Sequence, residues 1–102
     1  MATSWYLYRL LPHRPDFSTT MSDDERAAMM RHVTYWRTKQ ETHRVLIFTP
    51  VADPVRSWGL AIVGVEDEAE LEELRANDPA LQAGIGEIDY LLLPGAVVAA
   101  QS

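Results

Sequence analysis

Residues 57–65, Ser57-Trp58-Gly59-Leu60-Ala61-Ile62-Val63-Gly64-Val65, decide the fold. In an extended chain, alternate side chains point to opposite faces, so Trp58, Leu60 and Ile62 share one side and Ala61, Val63 and Val65 the other. Both sides are apolar. A strand of this kind belongs in the middle of a sheet, and both faces of that sheet need cover. Trp5 to Leu11 reads the same way, with Trp5, Leu7, Arg9 and Leu11 set against Tyr6, Tyr8 and Leu10. Two further strands are predicted: a buried one over Arg44 to Thr49, around Val45-Leu46-Ile47-Phe48 and closed by Pro50, and a last one over Glu87 to Leu93, ended by Pro94-Gly95.

Between these strands lie two helical signals. Ser22 with Glu25 three residues on is a capping box, preceded by Met21 as a hydrophobic staple, and Asp23 and Asp24 suit the positive end of a helix. The helix should run from about Asp23 to Gln40. Within it Met29, His32, Val33 and Trp36 stand at i, i+3, i+4 and i+7 and share one stripe. A histidine in an apolar stripe must find a hydrogen-bond partner or border a cavity. Asp67 with Glu70 opens a second, acidic helix with Leu71 and Leu74 as its narrow apolar stripe, stopped by Asn77-Asp78-Pro79. Pro79 starts a short turn of helix through Ala83, capped by Asp78 and broken by Gly84 and Gly86. Pro12 and Pro15 bracket His13-Arg14 in a loop that the stretch Asp16 to Thr20 extends, and Val51 to Arg56 is a turn-rich connection. The tail from Ala96 to Ser102 reads as a short extra strand or a swapped arm.

The order is strand, helix, strand, strand, helix, strand. That is the βαββαβ arrangement of an α+β, ferredoxin-like domain with an antiparallel sheet and helices on one face. Helices cover only one face, so the two-faced strands predict a homodimer in which two sheets pack together, with an interface of roughly 800 Å² or more per subunit.

Composition narrows the function classes. The chain has 102 residues, 47% of them hydrophobic and 24% charged, which suits one globular domain over residues 1–102. A net charge of −6, with 15 acidic against 9 basic residues and no basic run, argues against a nucleic-acid partner. The absence of cysteine rules out disulfides, thiolate catalysis and Cys-ligated metal sites. His13, His32 and His43 are widely spaced, without H-x-x-x-H, so no metal is expected. Gly84-Ile85-Gly86 lacks the third glycine and the helix of a dinucleotide site, and no cofactor is expected. No apolar run reaches about 18 residues and no basic leader precedes one, so no membrane contact and a cytoplasmic location are expected.

The residues of strand one, the Pro-containing loop, the helix Met30-Arg31-His32-Val33-Thr34-Tyr35-Trp36, the Pro50 to Asp53 connection and Asn77-Asp78-Pro79 before Gly84 together resemble the YCII-related proteins. The resemblance covers nearly the whole chain. It departs at Thr49-Pro50, where many members have Gly-Pro. It implies a dimeric α+β barrel of ferredoxin-like subunits, with a His and Asp pair in a pocket between helix and sheet. Carried over, the histidine is His32 and the acid Asp78, with Asp53 as the lesser candidate. It also implies proton-transfer or dehalogenating chemistry on small ring-type molecules. In barrels of this superfold that bind haem, a lone helix histidine would be an axial ligand.

Two functions follow. One is a cofactor-independent lyase, isomerase or dehalogenase acting on a small, anionic or phenolic metabolite, with His32 as acid/base and Asp78 as its orienting partner. The other is a non-catalytic module that binds a small molecule or a partner in the same pocket. Arg9 is a candidate to hold a carboxylate or phenolate, against a plain ion pair with a neighbouring acid. His13 and Arg14 are candidates for the pocket mouth. Trp36, with Tyr6, Tyr8 and Trp58, is a candidate for an aromatic-accepting wall, although packing explains aromatics equally well.

Overall fold

A computed structural model describes residues 3–100. The order of elements is β1 (Ser4–Pro12), α1 (Phe17–Thr20), α2 (Asp23–Thr42), β2 (Arg44–Val51), β3 (Trp58–Val65), α3 (Glu68–Ala76), α4 (Pro79–Gln82) and β4 (Gly86–Leu92). The strands form one antiparallel sheet in the order β2-β3-β1-β4, which makes an α+β fold compatible with the ferredoxin-like arrangement. The two strands read as apolar on both sides, β1 and β3, are the inner pair.

Register explains the two faces. Toward the helices, Tyr8 pairs with Ala61 and Leu10 with Gly59 and Ile88, and Tyr8, Leu10, Ala61, Val63 and Ile88 are all buried. Leu71 and Leu74 of α3, Ala28 and Trp36 of α2 and Ala80 of α4 close this core from above. On the other face Ile47 pairs with Ile62, Ile62 with Leu7, and Leu7 with Leu91, an apolar row across all four strands. Ile47 stays 48% and Leu91 51% exposed, because no helix lies on that side.

The structure corrects three details. Strand β2 is not buried; it is an edge, and a bulge between Val45 and Ile47 leaves both Leu46 and Ile47 exposed. The bulge shifts the side-chain alternation by one residue, so that Val45 and Phe48 both face the helices. The stretch Asp16 to Thr20 is not plain loop, since Phe17 starts the short helix α1 and is buried. The tail beyond Leu92 adds no strand among the described residues.

Local signals account for the helix starts. Ser22 Oγ accepts from Glu25 N–H at 3.1 Å while the Glu25 carboxylate accepts from Ser22 N–H at 2.9 Å. The same Glu25 receives both terminal nitrogens of Arg14 at 2.9 Å, and Arg14 also donates to Thr20, which ties the segment holding α1 down onto α2. The Arg14 bond holds the Glu25 carboxyl down at about 2. Among the described residues, no helix is long and apolar enough to cross a membrane.

Gly86 begins β4 where it meets the end of β1, opposite Pro12. A Cβ there would lie 2.1 Å from the Leu11 carbonyl oxygen, which is backbone and has little freedom to give way. Gly86→Ala should therefore destabilise the protein by about 3 kcal/mol, the upper part of the range for overpacking, read from the urea midpoint.

Candidate active site

The site is assembled where α2 packs on α4 above β1. Asp78 caps α4: its Oδ1 accepts from Ala80 N–H at 2.9 Å. The same oxygen accepts from His32 Nδ1 at 2.7 Å. Its Oδ2 accepts from the Tyr8 hydroxyl at 2.8 Å and from Trp36 Nε1 at 3.0 Å. Asp78 has no exposed surface. Capping and pairing with histidine are thus simultaneous in this residue, not alternatives.

The Ala80 and Trp36 N–H groups, one on each oxygen, are obligate donors and the Tyr8 hydroxyl adds a third, an arrangement that favours Asp78 as the anion without counting His32. Burial pushes its pKa up, but the hydrogen bond and charge of His32 and the bonds from Trp36 and Tyr8 outweigh it, and the group sits below the ordinary carboxylate range. The Tyr8 hydroxyl is pushed far up, by burial first and by the adjacent Asp78 charge second, so it stays a donor. Tyr8 and Trp36 also stack edge to face, with centroids 4.8 Å apart, which fixes both donors relative to each other.

An ionised Asp78 sets the tautomer of His32. Nδ1 must carry the hydrogen, which leaves Nε2 with the lone pair when the ring is neutral. Nε2 makes no hydrogen bond to protein among the described residues, and His32 lines a cavity of about 350 Å³ between α2, the segment around α1, and the sheet. Met29, Val33 and Trp36 line it too. The helical stripe thus both borders the cavity and packs on the core, with Trp36 buried, Met29 packed against the core cluster and Val33 37% exposed. The remaining wall is formed mostly by Leu10, Phe17, Met21, Phe48, Pro50, Trp58, Leu60 and Ala61, and the non-aromatic polar contributors are Ser18, Thr49 and Ser57.

Not every residue singled out from the sequence is brought here. Of the two candidate acids, Asp78 meets His32 and Asp53 does not. Asp53 accepts from Val55 N–H at 2.8 Å and from Trp58 Nε1 at 3.0 Å, closing its own loop and touching the cavity only through the Trp58 wall. Arg9 points to the helix-free face, where it forms a bidentate pair with Asp89 at 2.8 and 2.7 Å; the register of β1 on β4 sets the two opposite each other. It holds nothing in the cavity. His13 is exposed, its backbone N–H is bonded to the Ile85 carbonyl, and it does not line the cavity, although the adjoining Pro12 does. Trp36 is in the site in both senses, as wall and as donor to Asp78.

No family model matches the chain, and no curated protein does. Sequence reasoning overlooked Tyr8 as a carboxylate donor and Phe17, Ser18 and Ser57 as cavity wall. Phe17 left a signal, being the lone large apolar residue between Pro15 and Met21 in an otherwise polar stretch. No group of three or more His, Cys, Asp or Glu side chains suited to holding a metal occurs among the described residues.

A carboxyl whose folded pKa is depressed adds stability that is complete above its unfolded value of about 4 and is lost as pH falls through the folded value. Asp78→Asn should remove that acid-dependent component and cost about 3 kcal/mol at pH 7, since an amide cannot accept from all four donors. Urea unfolding from pH 7 down to pH 3 should show the stabilities of the two proteins converging as the pH falls.

Proposed function

We propose that this chain is an acid/base enzyme acting on a small molecule held in the apolar cavity, with His32 Nε2 as the proton acceptor and donor and Asp78 as the group that orients the ring. The observation that carries this reading is the 2.7 Å bond from His32 Nδ1 to a carboxylate that three other donors also hold. A buried carboxylate so held costs nothing further to organise when the imidazole takes a proton, and it stabilises the imidazolium that forms. A histidine serving only to fill the core would not need to line an open cavity with its second nitrogen unbonded to protein among the described residues. Cofactor-independent proton transfer of the lyase, isomerase or dehalogenase kind is the reaction class this arrangement serves. It also agrees with the resemblance of the chain to the YCII-related proteins.

The same reading includes a homodimer. The row Ile47, Ile62, Leu7 and Leu91 on the helix-free face is an apolar surface that a second copy of the sheet would cover, and two such sheets would make the dimeric α+β barrel. The Arg9–Asp89 pair, one row along the same face, supplies neighbouring charges of both signs for a two-fold contact. Ile62→Glu should convert a dimer into a folded monomer, measured by sedimentation velocity at micromolar concentration. A monomeric unsubstituted protein would remove the dimer from the reading.

The histidine is tested directly by ¹⁵N-detected imidazole spectra. At a pH where the ring is neutral, His32 should show a protonated Nδ1 and an unprotonated Nε2, and Asp78→Asn should abolish that preference. A neutral ring protonated at Nε2 in the unsubstituted protein would be incompatible with His32 acting as base toward the cavity.

A further inference from the structure

The cavity contains a second polar group that proton transfer at His32 leaves unused. Helix α1 carries three consecutive hydroxyls. Thr19 and Thr20 both donate to the Asp16 carbonyl at 3.1 Å, the common way for such side chains to spend their hydrogen on the helix backbone. Ser18 does otherwise. Its backbone N–H donates to Ser57 Oγ at 3.0 Å, and Ser57 Oγ in turn donates to Ser18 Oγ at 2.9 Å. Ser57 is itself fixed by its N–H on the Pro15 carbonyl at 2.6 Å. With the Ser57 hydrogen directed at Ser18 Oγ, the Ser18 hydroxyl hydrogen has no acceptor among the described residues, and both serines line the cavity that His32 lines.

No lysine or arginine lines that cavity. Arg14 is engaged on Glu25 and Thr20, while Arg56 gives one terminal nitrogen to the Pro12 carbonyl and keeps a buried Nε without a partner among the described residues, outside the cavity lining. A carboxylate or phosphate would lose its hydration in this mostly apolar space without gaining a counter-charge. An uncharged ligand would not.

We propose that Ser18, held by Ser57, is the hydroxyl that binds the substrate oxygen, and that the substrate is an uncharged carbonyl compound with an acidic hydrogen on the adjacent carbon. This rests on the reading of His32 as the base. The C–H bond breaks and its proton passes to His32 Nε2. The electron pair of that bond forms the new C=C bond, and the carbonyl π pair moves onto oxygen. The resulting enolate oxygen accepts the Ser18 hydrogen, a bond that strengthens as the charge develops. Return of the Nε2 proton to a different carbon of the enolate completes an isomerisation, and return to the same carbon after that proton has been traded with solvent water completes an exchange.

The test uses 2-tetralone as an uncharged ketone and 2-naphthoate as an anion of similar size, with the unsubstituted protein and its Ser18→Ala, Ser18→Thr and His32→Gln variants, each first shown to be folded by circular dichroism. Binding is read from quenching of tryptophan fluorescence, since Trp36 and Trp58 are in the cavity wall. Turnover is read as loss of the α-proton signal of 2-tetralone in deuterated buffer. The ketone should bind at least tenfold more tightly than 2-naphthoate and exchange faster than in buffer. Ser18→Ala should slow the protein-dependent exchange at least tenfold, Ser18→Thr should retain most of it, and His32→Gln should abolish it. Exchange that needs His32 but is indifferent to Ser18→Ala would overturn the role of Ser18 alone. Tighter binding of 2-naphthoate, or no exchange above buffer, would overturn the substrate class. Exchange that survives His32→Gln unchanged would instead remove the base assignment beneath it.

Discussion

A carboxylate with no exposed surface, accepting four hydrogen bonds, is the constraint on which the rest of this structure depends. Asp78 draws one donor from β1, two from α2 and one from the first turn of α4. Those elements are far apart in sequence, and a buried charge is tolerated only when all of its acceptor sites are filled. The position of α2 over the sheet, the start of α4 and the side chain of Tyr8 are therefore coupled: moving any of them leaves a charge unsatisfied. The catalytic reading is a by-product of the same requirement. Among the donors only His32 has a second ring nitrogen, and that residue also lines the cavity.

The cavity exists because α2 is only weakly apolar. Ala28 and Trp36 are its only fully buried residues in twenty. Trp36 is anchored by its bond to Asp78 and by edge-to-face contacts with Tyr8 and Tyr35. The helix is thus pinned near its middle by polar contacts, while Ala28 in its N-terminal half is buried in the core. Helix α1 and Phe17 close the cavity from the side, and the Arg14–Glu25 pair holds that segment in place. The cavity wall is thus built of short segments around the Asp78 carboxylate that holds the His32 ring.

Much was legible in advance. The capping box at Ser22, the Asp78-Pro79 helix start and the two-faced strands are local signals, each written within a few residues, and each places an element to within a residue or two. Trp58, Leu60 and Ile62 against Ala61, Val63 and Val65 were enough to make β3 an inner strand. His32 stood out because a titratable ring at helical spacing among Met29, Val33 and Trp36 breaks the apolar pattern. Arg9 stayed open between the cavity and an ion pair for a related reason: mid-strand position says that a side chain lies on one face or the other, but the choice, here the ion pair with Asp89, depends on which side the helices cover. Leu46 and Ile47 misled because a bulge is a property of two paired strands and not of either one's composition.

By itself the sequence determined the elements, their order and the presence of one misfit histidine in a helix, since periodicity and capping act between residues at most a few positions apart. Only the tertiary structure decided which acid meets His32. Asp53 and Asp78 are both near a proline in loops, and what separates them is that Asp78 is covered on every side while Asp53 folds back on Val55 and Trp58. Burial and hydrogen-bond saturation are set by contacts between residues tens of positions apart, so no local pattern records them.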